Sequence, residues 1–322
     1  MSEHVIDADD LAMLAAGFDG ALRDADPDTG AKGVVDLGWL EVLEASPAQG
    51  IATAFAALGA TGSAAPLLDD ALAHALGLEP SAETCVVLPR PGRAAAPGRR
   101  DGDDVVVDGV VTRRADVASR VVVVLEDGGA VALDGDALPP TGGSTIDPDG
   151  AHRRVRFTAD ASVVEPLDID GTWADAVAVA RFALAHQLLA ASRTMLGQAR
   201  DHAVDRVQFG RAVGSFQAVR HKLAEALVQI EGAAAVTEEW QPDADPLLAT
   251  LAKSLAGQAA RTSASNAQQV LAGIGFTTDH PFHRWLKRTL VLDGLFGSAS
   301  TLPAEIGAEL LARGGAPRLV EL

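Results

Sequence analysis

The segment Arg206-Val-Gln-Phe-Gly210 holds residues suited to binding a phosphate-containing ligand. Arg206 offers a planar, permanently charged fork that matches a pyrophosphate. Gln208 adds a neutral donor, Phe209 adds an apolar surface, and Gly210 permits a tight backbone. An ordinary turn between helices, with its arginine paired to a carboxylate, would use the same residue types. The segment alone therefore leaves both interpretations open.

A second candidate segment follows about sixty residues later, Gln269-Val-Leu-Ala-Gly-Ile-Gly-Phe276. Its glycines, Gly273 and Gly275, leave room for a ligand to approach the backbone. The segment is not a dinucleotide fingerprint, because the pattern before it is helical rather than that of a strand. His280 and His283 follow at a weak metal-like spacing without a third ligand, so we expect no metal site.

The elements that must position these segments begin with two regions of different periodicity. From about Ala8 to Leu78 apolar residues recur at helical spacing between turns, which predicts several short helices. From Thr84 to about Leu167 short β-branched runs alternate with Gly, Pro and Asp turns, including a hairpin signal at Asp127-Gly-Gly129. Pro89 to Arg100 is expected to be a loop. This second region predicts a small antiparallel β-domain.

From Thr172 onward the pattern is helical again. Thr172 and Asp175 fit a capping box at the start of a helix that runs to about Ala203, roughly 45 Å at 1.5 Å per residue. Helices of that length are typical of antiparallel bundles. Four further helices are predicted: Ser215 to beyond Ile230, Asp245–Ala272, Pro281–Leu290 and Pro303–Ala312.

Composition limits the classes of partner. The 322 residues carry a formal charge of −18, from 44 acidic and 26 basic side chains, which opposes binding to nucleic acid or to an anionic membrane. The single cysteine, Cys85, allows no internal disulfide. The acidic start, MSEHVIDADD, does not resemble a signal peptide, and the longest apolar stretch, Ala176–Ser192, is interrupted by Arg181 and His186. We therefore expect a cytoplasmic protein without membrane insertion.

The twenty residues from Arg206 to Glu225 and the segment from Gln269 to Arg288 resemble the signature regions of the acyl-CoA dehydrogenase family. Asp36–Pro66 and Cys85–Gly92 are similar to its earlier parts, more weakly. The resemblance implies an α+β, mainly α fold. Its domains would be an N-terminal helical domain at 1–82, a central antiparallel β-domain at 83–168 and a C-terminal antiparallel helix bundle at 169–322.

The resemblance also implies FAD as cofactor. In family tetramers each FAD spans a subunit interface: one chain holds the flavin ring and its neighbour holds the ADP half. The positions that match the ADP-binding side in this sequence are Arg206, Gln208, Phe209, Gln269 and Gly273.

Two positions depart from the family pattern. Family members remove the α-proton of an acyl-CoA with a glutamate while FAD accepts the β-hydrogen as hydride. That glutamate occupies one of two places, which register here on Gly297 and on Ala180, the residue before Arg181. The sequence thus predicts a chain without a catalytic residue of its own.

The side of the family site that holds the flavin ring also departs from the pattern. The loop with the sequence LPRPGRAAAPG lacks the usual hydroxyls, and Gly109-Val-Val-Thr-Arg113 lacks the usual tryptophan, leaving Thr112 as a remnant.

The resemblance therefore implies the short, non-catalytic, FAD-completing subunit of a heteromeric dehydrogenase. It is similar to actinobacterial α₂β₂ members that act on bulky substrates such as steroid side-chain CoA thioesters. The implied partners are a longer homologous subunit with the glutamate, an acyl-CoA at that subunit's site, and an electron-transfer flavoprotein. Two alternatives stay open: a homomeric dehydrogenase with an unrecognised base, Asp293 being the best candidate, and a flavin-free scaffold.

Overall fold

The computed structural model describes residues 6–139, 145–241 and 244–315. The first five residues of the acidic N-terminal stretch lie outside these ranges. The elements follow one another as helices, strands and helices, which is the predicted order. The boundaries at 82 and 168 stay predictions, because nothing in the structure tests them independently.

The N-terminal region contains five short helices. Asp7 and Asp26 cap the first two by accepting backbone N–H bonds at their N-termini, and Pro27 begins the second. Gly38, at φ +92°, precedes the third helix, and its neighbour Trp39 is fully buried. The bounds are α1 (Ala8–Leu22), α2 (Pro27–Asp36), α3 (Trp39–Ala45), α4 (Pro47–Thr61) and α5 (Leu67–Ala75).

The described residues of the central region form seven strands in two small sheets. The strands are β1 (Thr84–Val86), β2 (Gly98–Asp101), β3 (Asp104–Val111), β4 (Arg120–Val124), β5 (Ala130–Asp134), β6 (Arg153–Ala159) and β7 (Glu165–Leu167). One sheet has the order β1-β4-β5-β7 and the other β2-β3-β6. The predicted hairpin joins β4 to β5, with Gly128 at φ +90° in its turn.

Two details of this region correct the sequence analysis. β1 pairs with β4 in parallel, so the sheets are not wholly antiparallel. β2 occupies Gly98–Asp101, inside the stretch that was expected to be a loop. The sequence could not show either feature, because strand pairing is decided by the fold and GRRD has no alternating apolar pattern.

The C-terminal region is a helix bundle built around one long helix. Thr172 and Asp175 form the predicted capping box. The elements are α6 (Trp173–Asp205), β8 (Val207–Gln208), β9 (Arg211–Ala212), α7 (Gln217–Glu238), α8 (Pro246–Leu271), α9 (Phe282–Gly294) and α10 (Leu302–Arg313). Because short connections join α6 to α7 and α7 to α8, neighbours run antiparallel, and the C-terminal ends of α6 and α8 meet at one end of the bundle.

α6 corrects one further expectation. By length and composition this helix could cross a membrane, although the sequence analysis found no such stretch. In the structure 78% of its most apolar window is buried inside the protein, against α4, α8 and α9. It is the core helix of the bundle, and its apolar residues are explained by packing.

Candidate cofactor-binding site

A groove of about 730 Å³ lies where the C-terminal ends of α6 and α8 meet the start of α7. It brings together two segments that are about sixty residues apart in sequence. Four of the five predicted cofactor-binding residues line it: Arg206, Gln208, Gln269 and Gly273. Its volume is in the range of sites that bind small molecules and cofactors.

The turn after α6 is a two-residue hairpin between β8 and β9. Phe209 and Gly210 both have positive φ, +53° and +77°, as the turn types favoured in tight hairpins require. Gly214 allows the chain to pass α6 closely, since a Cβ there would lie 2.9 Å from the carbonyl oxygen of Ala203. These constraints fix Arg206 at the mouth of the groove.

Phe209 lies elsewhere than the sequence analysis expected. Its side chain is 92% exposed at the tip of the hairpin and does not line the groove. It contacts Phe216 edge-on, with ring centroids 6.2 Å apart, and the guanidinium of Arg211 lies 4.1 Å from the centroid of the Phe216 ring. The turn geometry points Phe209 outward, towards whatever covers this end of the bundle.

Arg206 is available to a ligand. Its side chain is exposed and has no hydrogen bond or ion pair within the part of the chain that the structure describes. By contrast, the guanidinium groups of Arg114 and Arg288 form buried ion pairs with Asp70 and Asp147. Arg206 is therefore not paired with a carboxylate among the described residues, as the alternative interpretation would require.

The wall formed by the end of α8 is partly open. A Cβ at Gly273 would meet nothing within 4 Å, so a ligand can approach the backbone there. Gly275 differs from the expectation, because a Cβ there would lie 3.0 Å from Leu271 Cβ, and this glycine serves packing. Ala272, at φ +53°, reverses the chain between the helix and the following 3₁₀ turn.

Two residues that the sequence analysis did not single out also line the groove, His202 and Lys222. His202 lies four residues before Arg206, one helical turn away on the same face of α6. That spacing was readable in the sequence. Lys222 could be placed only once the helices had been packed.

One of the two positions predicted to correspond to the family's glutamate lies beside a guanidinium. A Cβ at Gly297 would lie 3.7 Å from Arg181 Nη2. Ala180 is fully buried and precedes Arg181 on α6. The registration of both positions on the family pattern stays a prediction.

Arg181 is engaged by groups of the chain itself. It donates to the carbonyl oxygen of Phe296 at 3.0 Å, to Thr250 Oγ1 at 2.7 Å, and to both carboxylate oxygens of Glu305 at 2.7 and 2.8 Å. The buried ring of Phe296 lies 6.0 Å from that of Trp173. The guanidinium is thus paired, although a cavity of about 440 Å³ remains beside it.

The loop that lacks the family's hydroxyls contacts the start of α6 and the end of α9. Trp173 Nε1 donates to the carbonyl oxygen of Ala94 at 2.7 Å, and the backbone N–H of Gly92 donates to that of Gly294 at 2.7 Å. The β-region is thereby held directly against the bundle.

Asp293, the best alternative base, has a structural role in this fold. Its carboxylate is 5% exposed and accepts hydrogen bonds from Arg261 at 2.6 and 3.0 Å and from the backbone N–H of Ala299 at 2.9 Å. These contacts fix the segment after α9, and they favour a capping role over proton transfer.

Thr112, the remnant of the ring-binding side, lines a cavity of only about 30 Å³. Its hydroxyl donates to Asp69 Oδ2 at 2.7 Å inside a buried polar network. The neighbouring His152 has its pKa lowered to about 4, first by burial and then by the charge of Arg288. A space of this size holds about one water molecule and cannot admit an isoalloxazine ring.

The described residues thus fit the ADP half of FAD at the groove and do not fit the flavin ring at Thr112. Among the residues that the structure describes, no group of three or more His, Cys, Asp or Glu could hold a metal ion. His280 and His283 instead contact backbone groups in their own turn.

Comparison with known proteins defines the class. The family model for the acyl-CoA dehydrogenase C-terminal domain matches residues 173–311, which include the groove and both segments that form it. Between 95% and 98% of the chain superposes on chains of acyl-CoA dehydrogenase structures. It therefore has the acyl-CoA dehydrogenase fold, and its residues 173–311 match the C-terminal domain of that family.

Among curated proteins, the chain is 34% identical over 145 residues to the acyl-CoA dehydrogenase IpdE2 of Mycobacterium tuberculosis, covering 45% of this chain and 43% of that protein. It is 32% identical over 160 residues to IpdE2 of Mycolicibacterium smegmatis, covering 49% of this chain and 50% of that protein. The chain thus spans about half the length of the curated relatives it matches.

Among solved structures, a chain of the Tcur3481-Tcur3483 steroid ACAD G363A variant matches with a TM-score of 0.75 and 23% identity, covering 95% of this chain and 98% of that one. A chain of the ChsE4-ChsE5 complex from Mycobacterium tuberculosis matches with a TM-score of 0.75 and 20% identity, covering 98% and 100%. At these identities the likeness establishes the fold.

Proposed function

We propose that this chain is the non-catalytic subunit of a heteromeric acyl-CoA dehydrogenase and completes an FAD site on a partner subunit. One observation carries the proposal. The groove that fits the ADP half of FAD is assembled and open, whereas the cavity at Thr112, on the side that would hold the flavin ring, measures only about 30 Å³. A chain that keeps one half of a shared site and has filled the other can act only beside a different subunit.

At the groove, each residue has a separate task. The fork of Arg206 neutralises the pyrophosphate, Gln208 and Gln269 donate neutral hydrogen bonds, and Gly273 admits the ligand to the backbone. The unpaired state of Arg206 supports this assignment, since no ion pair within the described residues has to be broken before the ligand binds. When bound, FAD supplies the hydride acceptor.

The apolar side chains around the groove favour a protein partner on this end of the bundle. Phe209, Val207 and Val204 on one side and Phe276 on the other are between 58% and 92% exposed. Exposed apolar patches of this kind mark interaction sites. A partner that covers them would place its own flavin-ring pocket against the groove.

The catalytic steps belong to the partner in this proposal. A carboxylate of the longer subunit removes the α-proton of its acyl-CoA, and electron-transfer flavoprotein accepts the electrons. A bulky or steroid side-chain CoA is the proposed substrate class, supported by the likeness to a structure described as a steroid ACAD. We place the complex in the cytoplasm, as the acidic composition and the single cysteine suggest.

The test is the flavin content of the assembled complex. The chain is purified alone and together with a longer homologue that carries the glutamate, and native mass spectrometry is combined with flavin absorbance. We expect no FAD in the isolated chain and one FAD for every two subunits in the complex. One FAD per subunit would contradict the proposal, and FAD in the isolated chain would favour a homomeric enzyme. Absence of FAD from both preparations would favour the alternative that this chain is a flavin-free scaffold.

A further inference from the structure

We propose that His202 and Lys222 form a second wall of the groove, whose described lining residues include no carboxylate, and make it selective for a ligand with two phosphate charges. The inference rests on the proposed function and deepens it, because it assigns charge recognition at that site to residues other than the five predicted ones.

The placement of the two side chains carries the argument. His202 lies on the last turn of α6, Arg206 caps that helix, and Lys222 lies on α7, which forms another wall of the groove. Lys222 is half-buried, and its ammonium has no hydrogen-bond or ion-pair partner within the described residues. Its backbone carbonyl accepts a hydrogen bond from Asn266 at 3.0 Å, which fixes the main chain at this position.

The charges around the groove differ from those of the protein as a whole. The chain carries a formal charge of −18, and such a surface repels an anionic ligand. Among the described residues that line the groove, three are basic or can become so, Arg206, His202 and Lys222, and none is acidic. Glu225, on the next turn of α7, already accepts a hydrogen bond from Asn266 at 3.0 Å. The groove is therefore a local site for anions.

His202 adds a second polar side chain beside Arg206. The groups near it are Arg206, which follows α6, Lys222 on α7 and His280 after α8, while Asp201 and Asp205 are exposed. The pKa of His280 is lowered by burial and then by the charges of His202 and His283. An imidazole N–H at this place can donate a hydrogen bond to a phosphate oxygen.

The probe is ADP-ribose, which carries the adenosine and pyrophosphate of FAD without the ring and keeps the charge of its two phosphodiesters constant near neutral pH. Its affinity for the full-length chain is measured by calorimetry at about pH 6 and about pH 8, beside that of uncharged adenosine. The variants are Lys222→Met, His202→Gln and Arg206→Met. The matched controls are Lys32→Met on α2, an equal change of net charge, and His221→Gln, the exposed neighbour of Lys222.

We expect Lys222→Met to weaken ADP-ribose binding by about tenfold or more at both pH values and to leave adenosine binding unchanged. His202→Gln should weaken ADP-ribose binding several-fold, and both controls should behave as the unaltered chain. If Arg206→Met weakens binding but Lys222→Met and His202→Gln match their controls, this inference is wrong and the proposed function stands. If the unaltered chain does not prefer ADP-ribose to adenosine, this inference is wrong, and the flavin content of the complex decides the proposed function.

Discussion

At the scale of single residues, the arginines of this chain divide by their surroundings. Arg114, Arg181 and Arg288 are buried and bound to carboxylates. Removing Arg114 or Arg288 would leave Asp70 or Asp147 as a buried charge without its partner. Arg206 is exposed and unpaired within the described residues. Its contribution to the fold is therefore small, and its identity is explained by a ligand.

We predict that Arg206→Ala weakens FAD retention in the reconstituted complex by about 1.5–3 kcal/mol, the range for hydrogen bonds to charged groups. Arg206→Lys should restore only part of this, because a point charge cannot replace a two-pronged fork. Flavin fluorescence during dilution measures the affinity. Arg156→Ala, an exposed arginine on β6, is the control, and equal affinities for the two alanine variants would contradict the assignment.

Gly297 is also a residue whose type the fold requires. Its φ is +98°, and a Cβ there would lie 2.4 Å from Leu302 Cδ2. A glutamate at this position would be strained and would meet the side chains that hold the start of α10. Restoring the family's carboxylate here therefore conflicts with the packing.

We predict that Gly297→Ala destabilises the isolated chain by about 2–4 kcal/mol, from the positive φ and the clash together. Gly307→Ala on α10, where a Cβ would meet nothing within 4 Å, should be neutral or stabilise by up to about 1 kcal/mol. Urea unfolding compares the two variants. Neither Gly297→Glu nor Ala180→Glu should give the isolated chain dehydrogenase activity with an artificial electron acceptor. Activity in either variant would contradict the proposal that this chain is a non-catalytic subunit.

At the scale of elements, the connection between α9 and α10 is held by buried charges. Lys253 on α8 is fully buried, and its ammonium donates to the carbonyl oxygens of Asp293 at 3.0 Å and Gly297 at 3.3 Å. Burial lowers the pKa of Lys253 from 10.5 to about 8, against the opposing charge of Asp293. This lysine fixes the backbone around Gly297 and couples its geometry to pH.

We predict that the free energy of unfolding rises with pH between about 8 and 10.5 through Lys253. In that window Lys253 keeps its proton in the unfolded chain and loses it in the folded chain, so the folded chain no longer buries a charge. The free energy of unfolding should therefore rise by up to about 3 kcal/mol. Lys253→Met should lack this rise. The raised pKa of Cys85 acts in both proteins, so the difference between their urea-unfolding curves isolates Lys253. Parallel pH profiles would contradict the prediction.

At the scale of the whole molecule, the two ends of the bundle have opposite characters. The end formed by the C-termini of α6 and α8 has an open groove surrounded by exposed apolar side chains, Phe209 above all. The other end, near the N-termini of the same helices, is bridged by α10 through the ion pairs of Glu305 with Arg181 and of Arg313 with Asp245, beside a cavity of about 440 Å³. The exposed apolar side chains around the groove favour the first end as the surface for a partner.

We predict that Phe209→Ser weakens assembly with the partner subunit by tenfold or more while changing the stability of the isolated chain by less than about 0.5 kcal/mol, because the ring is 92% exposed. Leu311→Ser, 83% exposed on α10, is the control at the other end of the bundle and should leave assembly unchanged. Analytical ultracentrifugation measures both. Normal assembly of the Phe209→Ser chain would exclude the hairpin tip from the interface.

Local sequence signals determined the elements of this protein. The capping box at Thr172, the hairpin at Gly128 and the helix end at Arg206 lie where the residue pattern placed them. Such features depend on side chains within a few residues of one another, which a sequence shows directly. The same holds for the segment after Gln269, because its glycines interrupt a helical pattern.

Only the tertiary structure decided which side chains share a site. The positive φ angles of a two-residue turn place Phe209 outside the groove. The packing of α6 against α7 brings His202 and Lys222 to its walls, and the packing of α9 places Gly297 beside Arg181. The sequence showed which positions lack the family's glutamate. The small size of the cavity at Thr112, however, depends on the packing of three regions of the chain. Contacts between distant segments are fixed by that packing, which local periodicity does not encode.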